Sequence, residues 1–322
     1  MQRVGVLVHP TRPVSEAVAV LRRWVDERGL KLVQIPSGEQ PRVAPWGQVS
    51  ACDLIAALGG DGTILKALHA SAGTATPVMG VSYGSLGALT SVPQSELQAG
   101  LDRFAEGSWF AETLPALVVS GADGESARAI NDVVVARRGA TQLGVDVFIG
   151  QDVYARTAGD GIVVATPLGS SAYSMAAGGA LLAPGARAFV CTPLAMHGGC
   201  APPLVVADDR TVTLEVHPGH GGFDVGIDGV DFATATERFA VTTEQHYATL
   251  VALDQSCAGV QRLRERGLIT DSPRVLARRH RSLDSLPPHL AGDMASRISS
   301  DPAGGMAPGG NAAASGRGEA GS

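Results

Sequence analysis

The sequence predicts an α/β protein in which an N-terminal parallel-sheet domain is followed by a β-rich, sandwich-like domain. Two observations predict this order: four short apolar runs alternate with helical patterns before residue 107, and short β-type runs separated by turn residues follow from about residue 114. The 322 residues, of which 45% are hydrophobic, suffice for two cores. We expect an α/β domain over 1–113, a β-rich domain over 114–255, a C-terminal helix packing back on the first domain over 256–282, and a disordered tail over 283–322.

The first domain is predicted from strand-length apolar runs and from one clear helix face. Val14, Val18, Leu21 and Val25 recur at helical spacing, and Gly29 ends that helix. A second helix is expected after residue 63, and a third over residues 93–106. The alternation indicates a Rossmann-like parallel sheet, and ligands of such sheets bind beyond the carboxyl ends of the strands. The predicted strands are residues 4–8, 31–35, 54–58 and 77–81.

The second domain is predicted from many short runs of β-forming residues with turn signals between them. One short helix is expected near residues 171–178, and another over 256–266 closes the folded part. From residue 291 onward, 23 of 32 residues are Gly, Ala, Ser or Pro, a composition typical of a disordered segment. The predicted strands are residues 117–119, 130–136, 144–149, 153–155, 162–165, 188–191, 204–206, 211–216, 239–242 and 249–253.

Composition argues against several functional classes. The net charge of −6 argues against binding of nucleic acid, which favours a basic surface. The N-terminus lacks a long apolar signal core and no apolar run reaches 18 residues, so we expect a cytoplasmic protein without membrane contact. No Cys-x-x-Cys pair occurs, and neither a zinc site nor a redox pair is predicted. The four cysteines, expected as buried thiols in a reducing compartment, are Cys52, Cys191, Cys200 and Cys257.

The sequence Gly-Gly-Asp-Gly-Thr at residues 59–63 turns the strand at 54–58 into a helix. Glycines let a ligand's phosphates approach the backbone, and the unpaired N–H groups of a helix start attract anions. Thr63 is a candidate helix N-cap, and Lys66 adds a positive charge one turn later. The run is not a Walker A loop, because no Gly-Lys-Ser/Thr follows at the required spacing. We expect phosphate groups to contact Gly59, Gly60, Gly62, Thr63 and Lys66.

Asp61 is the unusual residue of this turn, since it places a carboxylate where anions are expected to bind. A carboxylate there either holds Mg²⁺ or accepts a proton from an attacking hydroxyl group. The alternative is that residues 59–63 form only a tight strand-to-helix turn, with Asp61 as a cap.

A second polar cluster lies in the β-rich half. Asn131 and Asp132 begin a strand, and residues 159–174 read G-D-G-I-V-V-A-T-P-L-G-S-S-A-Y-S. We interpret that segment as a strand over 162–165, a glycine-serine turn and a helix carrying Tyr173. Amide, carboxylate, hydroxyl and aromatic groups are suited to gripping ribose and base, whereas each group alone is equally typical of turn chemistry.

In this order, the motifs make the chain resemble the ATP–NAD kinase family over residues 3–268. The resemblance rests on G-G-D-G-T at 59–63, N-D at 131–132, D-G-I-V-V-A-T-P-L-G-S-S-A-Y-S at 160–174 and I-D-G at 227–229. The first motif is shared with diacylglycerol, sphingosine and 6-phosphofructokinases, whereas the long third motif separates the chain from them. The resemblance implies an α/β nucleotide-binding domain, a β-rich NAD-binding domain, and ATP-dependent phosphorylation of the adenosine 2′-hydroxyl of NAD to give NADP.

The resemblance also implies roles for individual residues. Asp61 would be the acid/base group for the 2′-hydroxyl, and the glycines with Thr63 would hold the phosphate donor, which Mg²⁺ or another divalent cation accompanies. No residues are assigned as metal ligands. Because family members form dimers or tetramers whose substrate site is partly made by a neighbour, a homo-oligomer is expected. The dinucleotide contacts are expected at Asn131, Asp132, Asp160, Ser171, Ala172 and Tyr173.

Several positions depart from the family pattern. Asp132 stands where Glu is usual, Ser82 where Asn is common, Ala176 where a serine-like residue is common, and L-G-S-S at 168–171 replaces T-G-S-T. Each change shortens or removes a polar group, and a lost hydrogen bond costs about 0.5–1.5 kcal/mol.

These departures keep other functions open. One alternative is phosphorylation of a different, modified nucleoside or nucleotide, and another is an inactive homologue that binds NADP. A lipid kinase is disfavoured, because no apolar or basic membrane-facing segment occurs. The phosphate donor stays open between ATP, another nucleoside triphosphate and polyphosphate, as does NADH in place of NAD.

Overall fold

The computed structural model describes residues 1–84, 87–122, 124–234, 236–254 and 259–275. Residues Met1–Arg266 belong to one compact unit, and a second unit begins at Gly267. The predicted tail at 283–322, the end of the predicted C-terminal helix and Cys257 lie outside the described residues. The domain boundaries given above stay predictions.

The first part of the chain forms the parallel sheet that its alternating pattern predicts. All neighbouring pairs among its strands are parallel, in the order β2-β1-β3-β4 with β5 added beside β4. Every residue of β3 and β4 is buried, which explains why their sequences are continuous apolar runs rather than alternating ones. The strands are β1 (Arg3–Val8), β2 (Lys31–Gln34), β3 (Leu54–Leu58), β4 (Val78–Ser82) and β5 (Val92–Pro93); the helices are α1 (Ser15–Glu27), α2 (Asp61–Ser71) and α3 (Leu97–Ala105).

The following part is β-rich, as predicted, with two short helices. Helix α4 (Tyr173–Ala176) follows a 3-10 turn at Gly169–Ser171, and α5 (Val260–Glu265) is the last described α-helix in the first unit. The strands are β6 (Phe110–Gly121), β7 (Ser126–Ala129), β8 (Asp132–Arg137), β9 (Leu143–Ile149), β10 (Asp152–Gly159), β11 (Gly161–Ala165), β12 (Ala188–Leu194), β13 (Leu204–Ala207), β14 (Val212–His217), β15 (Phe223–Ile227), β16 (Val230–Asp231) and β17 (Arg238–Ala252).

Two sheets contain these strands. The larger follows the order β10-β9-β14-β17-β4-β3-β1-β2, with β5, β6 and β7 attached beside it, and the smaller follows β13-β12-β11-β8-β15-β16. Apolar residues on facing strands of the two sheets, Phe239 and Phe189 among them, share one buried cluster. The β-rich part is therefore a sandwich, as expected from its alternating strands.

The long strand β17 differs from the prediction of two separate strands at 239–242 and 249–253. Its middle residues are polar, so the apolar pattern breaks, but the backbone still pairs with β6 across a bulge between Glu244 and Ala248. At its far end, Leu250 pairs in parallel with Val78 of β4. The larger sheet therefore runs without a break from the parallel strands into the sandwich.

The carboxyl ends of β1, β3 and β4 lie at one edge of the parallel sheet, because these strands are parallel neighbours in register. The segments that follow them therefore meet at this edge, as the position of the Gly-Gly-Asp-Gly-Thr turn predicts. Within the described ranges, no helix has both the length and the apolar character that crossing a bilayer requires.

Candidate active site

The Gly-Gly-Asp-Gly-Thr turn joins β3 to α2, and the helix begins at Asp61. Gly60, rather than the expected Thr63, is the N-cap, and no side chain caps the helix. Thr63 instead packs back on the turn: a Cβ added to Gly59 would lie 2.3 Å from its Oγ1, so a larger residue at 59 would force the turn open. The glycine at 59 is thus required for packing. Within the turn, Gly60 is the first residue that lines the cavity described below.

A cavity of about 310 Å³ lies between the end of β1 and the start of α2. Arg12, Lys66 and His9 face it. Burial, and then the charges of Arg12 and Lys66, lower the pKa of His9. Two cations and the N-terminus of an 11-residue helix make it suited to a polyanion such as a triphosphate. Four of the predicted phosphate contacts line it: Gly60, Gly62, Thr63 and Lys66.

Asp61 lies between this cavity and the loop that follows β4. Its Oδ2 accepts a hydrogen bond from the backbone N–H of Ala88 at 2.8 Å, and its Oδ1 accepts one from Leu89 at 3.1 Å. A Cβ at Gly87 would lie 2.1 Å from Oδ1, so the backbone approaches the carboxylate closely because residue 87 has no side chain. Both oxygens are held in place, and each keeps a further lone pair for another proton.

The second cluster forms around the start of β8. The backbone N–H of Thr166 donates to the carbonyl of Asn131 at 2.9 Å, and the Thr166 hydroxyl donates to the carbonyl of Ile130 at 2.6 Å. A Cβ at Gly169 would lie 2.0 Å from the Asn131 carbonyl oxygen, so the glycine-serine turn packs directly on this strand. The structure therefore brings Asn131 and Asp132 together with the turn that leads to Ser171, Ala172 and the half-exposed Tyr173.

A cavity of about 400 Å³ opens beside this turn, lined by Ser171, Leu168 and Ala88 among others. Arg266 also lines it and donates to the Ser171 hydroxyl at 3.4 Å. Burial lowers the pKa of Arg266, while the charge of Asp61 acts in the opposite direction. Since Ala88 also donates to Asp61, the loop after β4 and Arg266 connect the two clusters.

Asp160 is the one predicted substrate residue that the chain does not bring to this place. It forms an ion pair with Arg137 at 2.5 Å, next to the start of β11. Ala165, at the other end of β11, pairs with Asp132. Asp160 is therefore five strand positions, roughly 17 Å, from the residue that pairs with Asp132.

Comparison with known proteins identifies the family. The model of the ATP-NAD kinase N-terminal domain matches residues 43–109, and that of the C-terminal domain matches residues 130–251. The NAD kinase of Chlorobaculum tepidum is 32% identical over 260 residues, covering 78% of this chain and 91% of that protein. The NAD kinase of Heliobacterium modesticaldum is 35% identical over 242 residues, covering 71% and 85%. The chain belongs to the NAD kinase family.

Solved structures confirm the predicted fold class. The yeast NADH kinase complexed with NADH superposes with a TM-score of 0.71 at 20% identity, covering 84% of this chain and 89% of that one. An NAD kinase from Archaeoglobus fulgidus in complex with ATP gives a TM-score of 0.67 at 22% identity, covering 84% and 100%.

The candidate site also contains residues to which no role was assigned from the sequence. Asp228, from the I-D-G motif, accepts hydrogen bonds from the backbone N–H groups of Ile130, Asn131 and Asp132 at 2.7–3.1 Å. Burial, and then the nearby Asp228 charge, raise the pKa of Asp132 to about 6. Asp228 has a left-handed φ of +50°. In the sequence, only the glycine that follows it indicates a turn at this position. The described residues contain no cluster of three or more His, Cys, Asp or Glu suited to a metal ion.

Proposed function

We propose that the protein is an NAD kinase that transfers the terminal phosphoryl group of ATP to the adenosine 2′-hydroxyl of NAD, giving NADP and ADP. The observation that carries the proposal is the position of Asp61 between a cationic cavity and the cavity beside Ser171. The family of the chain and the ligands named for its structural neighbours, ATP and NADH, support the same reaction.

The reaction depends on positioning of the two reactants more than on covalent catalysis by the protein. The triphosphate lies in the cavity lined by Arg12 and Lys66, with backbone N–H groups at the start of α2 directed to it. The 2′-hydroxyl lies beside Asp61, which accepts the hydroxyl proton as the new O–P bond forms and the bond to ADP breaks. The two N–H groups that hold Asp61 keep its carboxylate oriented during the transfer.

Mg²⁺ would enter together with ATP and would offset the charge of its phosphate groups. The cavity offers Arg12, Lys66 and a single carboxylate, and that carboxylate already accepts two backbone hydrogen bonds. This donor set fits a metal ion carried mainly by the nucleotide and its waters.

We propose a homo-oligomer, as the family resemblance implies, in which a neighbouring subunit supplies its Asp160 to the dinucleotide. Within one subunit, Asp160 lies roughly 17 Å along β11 from the Asn131–Asp132 pair. The cytoplasm is the proposed location, since the described cysteines, Cys52, Cys191 and Cys200, are all free thiols, as is usual in a reducing compartment.

A different acceptor is the second candidate, and one observation favours testing it. Leu168 occupies the turn where the family has a polar residue and lines the cavity beside Ser171. An apolar wall there removes one hydrogen-bonding group from the acceptor site and favours an acceptor with a less polar edge.

The test is a coupled assay in which NADP is detected by an NADP-specific dehydrogenase after incubation with MgATP and NAD. Asp61→Asn should keep NAD binding, measured by thermal shift, and lose about 100-fold or more in turnover. Asp209→Asn, at an exposed carboxylate that lines neither cavity, is the matched control and should behave as wild type.

Near-normal turnover by Asp61→Asn would remove this residue from the mechanism. Wild-type protein that binds NADP without turnover would indicate the inactive homologue. Turnover of NADH or a modified nucleoside in preference to NAD would favour the second acceptor, and replacing ATP by another triphosphate or polyphosphate identifies the donor.

A further inference from the structure

Asp228 fixes the backbone at the start of β8 through several hydrogen bonds to its side chain. Its side chain is only 4% exposed, and it accepts three consecutive backbone N–H groups, from Ile130 to Asp132. Its own backbone N–H donates back to the Asp132 carbonyl at 3.0 Å. The conformation of Asn131 and Asp132 is therefore tied to the position of one carboxylate.

That carboxylate has a fourth partner on a distant element. His69 lies in the last turn of α2, and its Nε2 is 2.7 Å from Asp228 Oδ2. On its other side, His69 Nδ1 is 3.1 Å from the hydroxyl of Tyr247, whose ring meets the imidazole edge-on. The tautomer that satisfies both contacts has Nε2–H donating to Asp228 and Nδ1 accepting from Tyr247.

Helix α2 thus carries a group of each cluster. Asp61 is its first residue, and His69 lies eight residues later on the same helix. A short α-helix is a rigid connection between its two ends. The contact of His69 with Asp228 therefore fixes the start of β8 relative to Asp61.

We propose that His69 is a positioning residue: through Asp228 it fixes the Asn131–Asp132 backbone relative to Asp61 and so sets the affinity for the acceptor nucleotide. This inference rests on the proposed NAD kinase function. His69 itself touches neither the cationic cavity nor the Ser171 cavity. Its loss should therefore weaken NAD binding and leave ATP binding intact.

The test compares two variants of similar length, one with a hydrogen-bond donor and one without. His69→Met should raise the KM for NAD roughly tenfold, because a hydrogen bond to a charged partner is lost, and should leave the KM for ATP within about twofold. His69→Gln places an amide N–H near the position of Nε2 and should restore the KM for NAD to within about threefold of wild type.

A second variant keeps the test decisive if His69→Met does not fold. Tyr247→Phe removes only the hydroxyl that orients the ring, and should raise the KM for NAD about two- to fivefold with an unchanged KM for ATP. His217→Met, at a second His–Asp pair with Nε2 3.6 Å from Asp146, is the matched control and should change neither constant.

Three results would overturn the positioning role: equal KM values in the Met and Gln variants, a parallel rise in the KM for ATP, or an unchanged KM for NAD in Tyr247→Phe. Wild-type protein without turnover of NAD would instead overturn the proposed function, so the two failures are distinguishable.

Discussion

At the scale of single residues, the acceptor side of the site contains two neighbouring carboxylates in different surroundings. Asp228 is stabilised by three backbone N–H groups and by His69. Asp132 is buried without comparable donors, and desolvation followed by the Asp228 charge raises its pKa to about 6. A hydrogen-bond donor beside Asp132, such as a hydroxyl group, would favour its ionised form.

Asp132→Asn should stabilise the ligand-free protein, and the gain should depend on pH. Because the folded-state pKa is raised, ionised Asp132 costs no stability below about pH 4, costs more as pH rises toward 6, and costs the full amount above it. We expect a gain of about 1–3 kcal/mol at pH 8 and almost none near pH 4, measured by urea unfolding.

A gain that is equal at both pH values would show that the charge of Asp132 is not its cause. Asp209→Asn, at an exposed carboxylate, serves as the control and should leave the unfolding free energy unchanged within about 0.5 kcal/mol.

Of the candidate site, the sequence singles out the residues that belong to recognisable motifs, but not His69, whose side-chain contacts are made with distant parts of the chain. The positions of Gly60, Asp61 and Gly62 follow from a local strand-to-helix pattern, which needs no knowledge of the rest of the chain. His69 is different, because on its own it is one more residue of an amphipathic helix. Its partner Asp228 is 159 positions away, and only the folded sheet brings the two together.

At the scale of elements, helix α5 stabilises the loop that holds Asp61. Arg262 is 8% exposed and donates to the carbonyl groups of Ala88, at 2.9 Å, and Thr90. Its guanidinium also lies 4.0 Å from Glu112. Burial raises the pKa of Glu112, and the charge of Arg262 offsets part of this rise. One arginine thus joins α5, the loop after β4 and strand β6.

Arg262→Met should destabilise the protein by about 2–4 kcal/mol, because it leaves Glu112 buried without its counter-charge and two carbonyl groups without a donor. The pKa of Glu112 is already raised, so the cost of its charge is absent at low pH and grows as pH increases. Urea unfolding should therefore show a larger loss at pH 8 than at pH 4.5.

The double variant Arg262→Met with Glu112→Gln separates the two causes. It should recover part of the loss at pH 8 and little at pH 4.5, since the amide removes the uncompensated charge but not the unpaired carbonyl groups. A single variant as stable as wild type would contradict the structural role of α5.

Most of the elements are predictable from the sequence, and the predictions that are wrong have physical causes. Residues 54–58 and 77–81 form strands as expected, because a central parallel strand is apolar throughout. Strand β15 (Phe223–Ile227) was missed since its sequence contains Asp and Gly, and β17 was divided in two since polar residues at 243–247 occupy its bulge. In both cases backbone pairing with a neighbouring strand outweighs local preference.

At the scale of the whole molecule, one continuous sheet joins the α/β part to the sandwich. Leu250 of β17 pairs with Val78 of β4, and the Ser91 hydroxyl donates to the Val251 carbonyl at 2.6 Å while accepting from Gly80 N–H. In the α/β part, β4 therefore pairs with β17, whose pairing residue lies more than 160 residues further along the chain. Sequence order alone suggested separate domains, because no local pattern reports which strand lies beside β4.

A fragment of residues 1–113 should consequently fail to fold stably by itself. Without β17, the Val78 end of β4 becomes an exposed apolar edge in a small sheet. The cluster that includes Val251 and Leu253 also loses those members. Circular dichroism during heating should show no cooperative transition for the fragment, in contrast to the full chain. A cooperative transition would show that the α/β part is an autonomous domain.

The pairing of β4 with β17 also bears on how the protein is made. During translation, the first four parallel strands leave the ribosome long before residue 250 is synthesised, so the flank of β4 stays open while more than half of the polypeptide is still to come. Nascent chains of this protein should therefore depend on holding chaperones until the last long strand arrives, and premature termination anywhere in the sandwich yields a product prone to aggregate.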